Sequence, residues 1–202
     1  MKKTVIIYGS STGTCEDLAG RIGAKLGVDN IINVTDLDDN VIADNDNLIL
    51  GTSTWGAGEV QDDWYDGLRA IKSADLGGKT VALFGCGDSA SYPDTFVGGM
   101  AEIYHAVKEA GAQVIGAVAT EGYTFDDSES VVDGKFVGLA LDEVNEDGKT
   151  AVNELGRIDV ENVRNRLQNV AAGVTERAAR GVLIVADLAV GNADLFTEFT
   201  AG

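Results

Sequence analysis

The sequence predicts an α/β protein built on a doubly wound, five-stranded parallel sheet with helices on both faces. Three observations predict it. Short apolar runs bounded by Gly, Asp and Asn alternate with longer segments of helical period, the pattern left by parallel strands joined through right-handed crossovers. The apolar runs are continuous, as strands covered on both faces require. The chain has 202 residues, 45% of them hydrophobic, which suffices for one substantial core and is short for two ordinary domains.

Residues 4–8 read as the first strand and 15–26 as the helix that follows. Residues 31–34, 48–50, 81–84 and 114–118 read as the remaining strands, with helices over 62–71, 97–110 and 158–170. In the last of these Val160, Val163, Leu167 and Val170 recur at three and four residues and make one apolar stripe. Residues 120–136 interrupt the pattern before a second apolar run at 137–141. A loop of that length is usually functional or a family-specific insertion. Sheets of this kind bind ligands beyond the carboxyl ends of their strands, so the loops after the first, third and fourth strands are where a site is expected.

Composition narrows the function. With 15 basic and 33 acidic residues the formal charge is −18, which would repel the phosphates of nucleic acid. No basic residue lies between Lys25 and Arg69, while ten acidic ones, from Asp29 to Asp66, do; this is a solvated acidic surface or a docking face for basic partners. Two cysteines, Cys15 and Cys86, are too few for a disulfide framework and fit a reducing cytosol. The single histidine, His105, has no second histidine to pair with, so a zinc site is not expected. Neither a secretory signal nor a membrane span is expected, because the first apolar run covers only a few residues.

The loop after the first strand reads Gly9-Ser10-Ser11-Thr12-Gly13-Thr14-Cys15-Glu16 and leads into a helix. Hydroxyls and backbone N–H groups at a helix N-terminus suit a phosphate, and without a lysine this is not a nucleoside-triphosphatase loop. Taken alone it is equally an ordinary Ser/Thr-rich helix cap. After the third strand Trp55 stands in Gly51-Thr52-Ser53-Thr54-Trp55-Gly56-Ala57-Gly58-Glu59, and after the fourth Tyr92 stands in a loop running from Gly85 to Asp94. Each aromatic alone reads as a packing or exposed residue. Together, beside a phosphate loop, they could sandwich a flat ring.

These loops, with Thr120-Glu121-Gly122-Tyr123 and Phe136-Val137-Gly138-Leu139-Ala140-Leu141-Asp142-Glu143, resemble the successive signatures of a long-chain flavodoxin over residues 1 to about 170. The resemblance implies a sheet of order 2-1-3-4-5 and a flavodoxin-like domain over 1–172 that binds FMN, leaving 173–202 as an extension of unknown role. Ser10, Ser11, Thr12, Gly13, Thr14 and Cys15 would enclose the phosphate. Trp55 would cover one face of the isoalloxazine ring and Tyr92 stack on the other. Ser53, Thr54, Gly56, Ala57 and Gly58 complete the first aromatic loop, where the Gly56–Ala57 peptide would face N5 and turn its carbonyl there when N5 gains its proton. Gly85, Cys86, Gly87, Asp88, Thr95, Phe96 and Val97 complete the second, with backbone around Asp88 and Val97 at the pyrimidine edge.

The chain departs from the family pattern at three places. Cys15 stands where a threonine is usual, replacing a hydroxyl donor with a weak thiol. Val144 stands where an acidic residue is common near the ribityl chain. The extension carries an apolar run at 181–190 that must be buried somewhere. The function implied is a low-potential, single-electron carrier in the cytoplasm, not an enzyme. It would serve basic faces of redox partners such as flavodoxin or ferredoxin reductases and oxidoreductases, bind neither nucleic acid nor membrane, and be a monomer or weak dimer. An acidic surround disfavours the fully reduced flavin anion, so a low potential is expected for the second electron. The alternatives are an FMN-dependent NAD(P)H or quinone reductase on the same fold, which needs room over the ring, and a receiver domain, which needs an acidic pair where Tyr8-Gly9-Ser10 stands.

Overall fold

The computed structural model describes residues 3–142 together with Val144 and Asn145. The helix expected over 158–170 and the extension over 173–202 lie outside the described residues. Five parallel strand positions carry the sheet: β1 (Thr4–Gly9), β2 (Ile31–Asn33), β3 (Asn47–Trp55), β5 (Thr80–Cys86) and an outer position. That outer position is shared by β6 (Gln113–Ile115) and β10 (Leu139–Leu141), both parallel to β5. The order β2-β1-β3-β5-β10 is the expected 2-1-3-4-5. A short β4 (Glu59–Val60) folds back antiparallel on the end of β3.

Alternation along the strands builds two separate cores, since successive side chains point to opposite faces. Val5, Ile7, Leu48, Leu50, Val81 and Leu83 enter one cluster with α3 (Trp64–Ser73) and α4 (Gly99–Glu109). Ile6, Ile49, Phe84 and Cys86 enter the other, under α1 (Thr14–Leu26). Helix α1 buries Cys15, Leu18, Ala19, Ile22 and Gly23, a stripe of helical period, and ends at Gly27, whose φ of 70° suits a glycine cap.

Several boundaries differ from expectation, each for a local reason. The helix expected from residue 97 begins at Gly99, because Val97 holds φ at +49°, outside the helical region. The helix expected from 62 begins at Trp64, after a turn closed by Gln61 O accepting from Trp64 N. The fifth strand does not run through 114–118: it stops at Ile115, and Gly116, at φ +87°, turns the chain out of the sheet. Residues 118–119, 131–132 and 135–136 then form β7, β8 and β9 of a separate sheet of order β7-β9-β8. The chain returns as β10 opposite Phe84–Cys86. Helix α2 (Asp39–Asp44) has no counterpart in the sequence pattern; it buries only Ile42 and so leaves no apolar stripe.

Candidate functional site

The first loop presents an open helix end. Gly13, at φ +88°, is the residue before α1 and has no side chain with which to cap it. The first-turn N–H groups thus stand free of a capping side chain, where the helix dipole favours an anion. Ser10 Oγ accepts from Gly13 N at 3.1 Å and fixes the turn. Thr12 and Thr14 bring their hydroxyls within 3.4 Å of each other on the exposed side. Ser11 Oγ accepts from Gln61 Nε2 at 3.2 Å. Gln61 is itself buried, and a Cβ on Gly9 would sit 2.5 Å from its Oε1, so the glycine is what lets Gln61 lie behind the loop.

Cys15 does not face this loop with its side chain. It is buried in the cluster under α1, and its thiol hydrogen-bonds to Cys86. That contact, followed by burial, pushes the Cys15 thiol well above its ordinary pKa. The thiol therefore replaces no hydroxyl donor in the loop; only the Cys15 backbone remains there.

Beyond β3, Gly58 N donates to Trp55 O at 3.0 Å and closes a tight turn in which Gly56 takes φ +54°. A glycine is suited to the first central position of such a turn. The Ala57 N–H donates to the Glu59 carboxylate. Trp55 is 43% exposed, yet its indole N–H is fixed by Ser53 Oγ at 2.8 Å. An exposed indole tethered from behind is set to offer its face to something else.

The second loop is held by carboxylates at its base. Asp88 Oδ1 accepts from Ala90 N, Ser91 N and Asn145 Nδ2, the last at 2.8 Å. These bonds, that from Asn145 foremost, hold the Asp88 carboxyl below the usual carboxylate range. Asn145 Nδ2 also donates to Asp142 Oδ1 at 2.8 Å, and Ser89 Oγ donates to Asp142. Asp142, at the end of β10, and Asn145 thus clip the loop that carries Tyr92. Tyr92 itself is 60% exposed.

A cleft of about 250 Å³ opens between these loops. Thr12, Thr14, Ser53, Thr54, Trp55, Gly56, Cys86, Gly87, Asp88, Tyr92, Thr95, Phe96 and Val97, all expected in the site, line it, and so does the exposed Val144. Ser10, Ser11, Gly13, Cys15, Ala57, Gly58 and Gly85 are not among the lining residues. The first three shape the loop before α1, and Ala57 and Gly58 shape the turn after β3. Gly85 serves packing, since a Cβ there would meet Met100 Cγ at 2.5 Å. Sequence reasoning missed Gln61 and Asn145; each acts through a partner fifty or more positions away, Ser11 and Asp88, a relation that local spacing does not show.

Comparison with known proteins agrees with this geometry. The family model described as Flavodoxin matches residues 6–169. The chain belongs to the flavodoxin family. Flavodoxin 1 of Azotobacter vinelandii is 41% identical over 158 residues, covering 74% of this chain and 90% of that one. A flavodoxin of Picosynechococcus is 38% identical over 154 residues, covering 75% and 91%. Among solved structures, a Fusobacterium nucleatum flavodoxin bound to flavin mononucleotide superposes with a TM-score of 0.75 at 30% identity, over 82% of this chain and 99% of that one. The family accounts for the doubly wound sheet, and the small β7-β9-β8 sheet spans residues 118–136, where the sequence pattern is interrupted.

Proposed function

We propose that this flavodoxin-family chain is a single-electron carrier that holds FMN non-covalently in the cleft between Trp55 and Tyr92. The observation that carries the reading is the pairing of an uncapped helix end, edged by neutral hydroxyls, with a cleft walled by two exposed aromatics. The residues present fit the group. A monoester phosphate suits the Thr12 and Thr14 hydroxyls and the N–H groups at the start of α1. A flat heterocycle suits two aromatic faces, and the 250 Å³ cleft lies between them. When bound, FMN supplies one-electron redox chemistry that no side chain of the protein offers.

The protein's own contribution is to bind, orient and screen. The hydroxyls and first-turn N–H groups of residues 10–15 hold the phosphate end. Trp55, oriented by Ser53, and Tyr92, held through the Asp88 loop, cover the ring. Backbone near Asp88 and Val97 would meet the polar edge of the ring, and the Gly56 carbonyl would offer it a hydrogen-bond acceptor. The acidic stretch between Lys25 and Arg69 docks basic faces of donor and acceptor enzymes, with ionic-strength-dependent rates. The binding unit is residues 1–172; removing 173–202 leaves FMN binding intact. The carrier works in the cytoplasm as a monomer or weak dimer. Among the described residues no helix is long and apolar enough to cross a membrane.

The test is the visible spectrum of the purified protein, followed by titration of stripped apoprotein with FMN. A flavin spectrum and quenched FMN fluorescence are expected. A colourless protein that fails to quench added FMN would refute the reading, and steady NADPH oxidation by the protein alone would turn it into a reductase.

A further inference from the structure

Val97 is the anomaly of the cleft wall. It is fully buried, lines the cleft and holds φ at +49°. A β-branched residue reaches that region only when its surroundings enforce it. The enforcement comes from the insertion. Ser128 Oγ donates to Phe96 O, and Ser130 Oγ donates to Val97 O at 2.7 Å with Gly98 O second at 3.3 Å. Both serines are buried, at 5% and 0% exposure. Their own segment is fixed by Val137 N donating to Ser130 O and Val131 N to Ser128 O. The Phe96 ring is gripped by the same insertion, with Phe136 at 5.9 Å, Phe125 at 6.0 Å and Tyr123 at 6.2 Å between centroids. A Cβ on Gly87 would lie 3.0 Å from Val97 N, so glycine there leaves space at that N–H on the cleft wall.

We propose that Ser128 and Ser130 are positioning residues for flavin binding: they hold the Phe96–Gly98 backbone in a strained form that presents Val97 to the ring edge. The insertion thereby shapes a cleft that none of its residues lines. The inference rests on the FMN reading above. Ser128 and Ser130 touch no cofactor; they act through three successive carbonyls. Without them Val97 relaxes toward ordinary φ in the apoprotein, and each binding event must restore the strained form. The loss falls on the ring end of the ligand and spares the phosphate end.

The test titrates apoprotein with FMN and riboflavin by fluorescence quenching, in the parent, Ser130→Ala and Ser128→Ala. Ser130→Ala keeps the fold, because Met100 N still donates to Val97 O at 3.2 Å, and a thermal melt of each apoprotein checks it. We expect each alanine to weaken FMN and riboflavin by the same factor, about ten-fold, the scale for losing one buried hydrogen bond. In a Val97→Gly background, where glycine takes positive φ without cost, the loss should shrink to about two-fold or less. Rescue by glycine is the readout that a merely structural serine would not move. Unchanged riboflavin affinity in both alanine variants overturns the inference, as does a loss in the Val97→Gly background equal to that with Val97 in place. A parent protein that binds neither flavin overturns the cofactor reading, and this inference with it.

Discussion

Replacing Tyr92 or Trp55 by alanine tests the two walls of the cleft, and the structure sets the scale. Trp55 is 43% exposed, which for an aromatic of about 250 Å² leaves roughly 110 Å² open to water. Tyr92 is 60% exposed, and with about 200 Å² for the residue, roughly 120 Å² is open. A ring lying against one face covers about half of each. At about 25 cal/mol per Å² that is roughly 1.5 kcal/mol per aromatic, close to ten-fold in affinity. Stacking beyond area burial adds about 0.5–1.5 kcal/mol. Each alanine variant should therefore weaken FMN by roughly thirty- to 150-fold, with partial recovery of flavin fluorescence. Tyr92→Phe should keep nearly all the affinity, because the face and not the hydroxyl is used. The assay is a quenching titration of apoprotein at fixed ionic strength. Parent affinity and full quenching in either alanine variant would show that the aromatic does not touch the ring, and the two-wall account would fall.

Further expected outcomes concern the other parts of the site. FMN should bind far more tightly than riboflavin, since only the phosphate uses the residue 10–15 loop; equal dissociation constants would remove that assignment. Cys15→Thr should leave FMN affinity unchanged but lower the melting temperature, because a hydroxyl would replace a thiol buried at 0% exposure in an apolar cluster; tighter FMN binding would show that the side chain reaches the phosphate. Gly56→Val should shift the potential of the first one-electron couple downward by about 40 mV, the equivalent of one net hydrogen bond of about 1 kcal/mol. Its Cβ also meets the Glu59 carboxylate, which accepts from Ala57 N, so the same shift measured between Glu59→Ala and the Gly56→Val/Glu59→Ala double variant isolates the backbone effect. Asp88 has a folded pKa below its unfolded one, so its contribution is present above the usual carboxylate range and lost as pH falls through the lower folded value. In Asp88→Asn the decline of FMN affinity with acid below about pH 4 should be shallower than in the parent, as read by titration at each pH.

The parts of the molecule that are legible in the sequence share one property: their signal is local. The stripe Cys15, Leu18, Ala19, Ile22 and Gly23 marks α1, and Trp55 and Tyr92 stand out because large aromatics sit among glycines and small polar residues. What is not legible depends on partners distant in sequence. Cys15 reads as part of a phosphate loop until the fold brings it against Cys86. Val144 reads only as a departure from the family pattern, yet it lines the cleft, and its neighbour Asn145 joins Asp88 to Asp142. The strained Val97 reads as the opening of a helix, since nothing in its neighbours announces that residues 128 and 130 will hold it otherwise.

The division of the outer strand between β6 and β10 has a consequence for how the domain assembles. Two separate segments dock along one template, Gln113–Ile115 beside Thr80–Ala82 and Leu139–Leu141 beside Phe84–Cys86. Only the first is delivered directly by the preceding helix. The second must wait for the excursion over 116–138 to close, and closure of a longer loop adds only a fraction of a kcal/mol per added few residues. Length at this break is thus thermodynamically cheap, which makes it a place where the chain tolerates grafts without disturbing register. If β10 docks last, its amides, and with them the Asp142 clip under Tyr92, should exchange ahead of those of β1, β3 and β5.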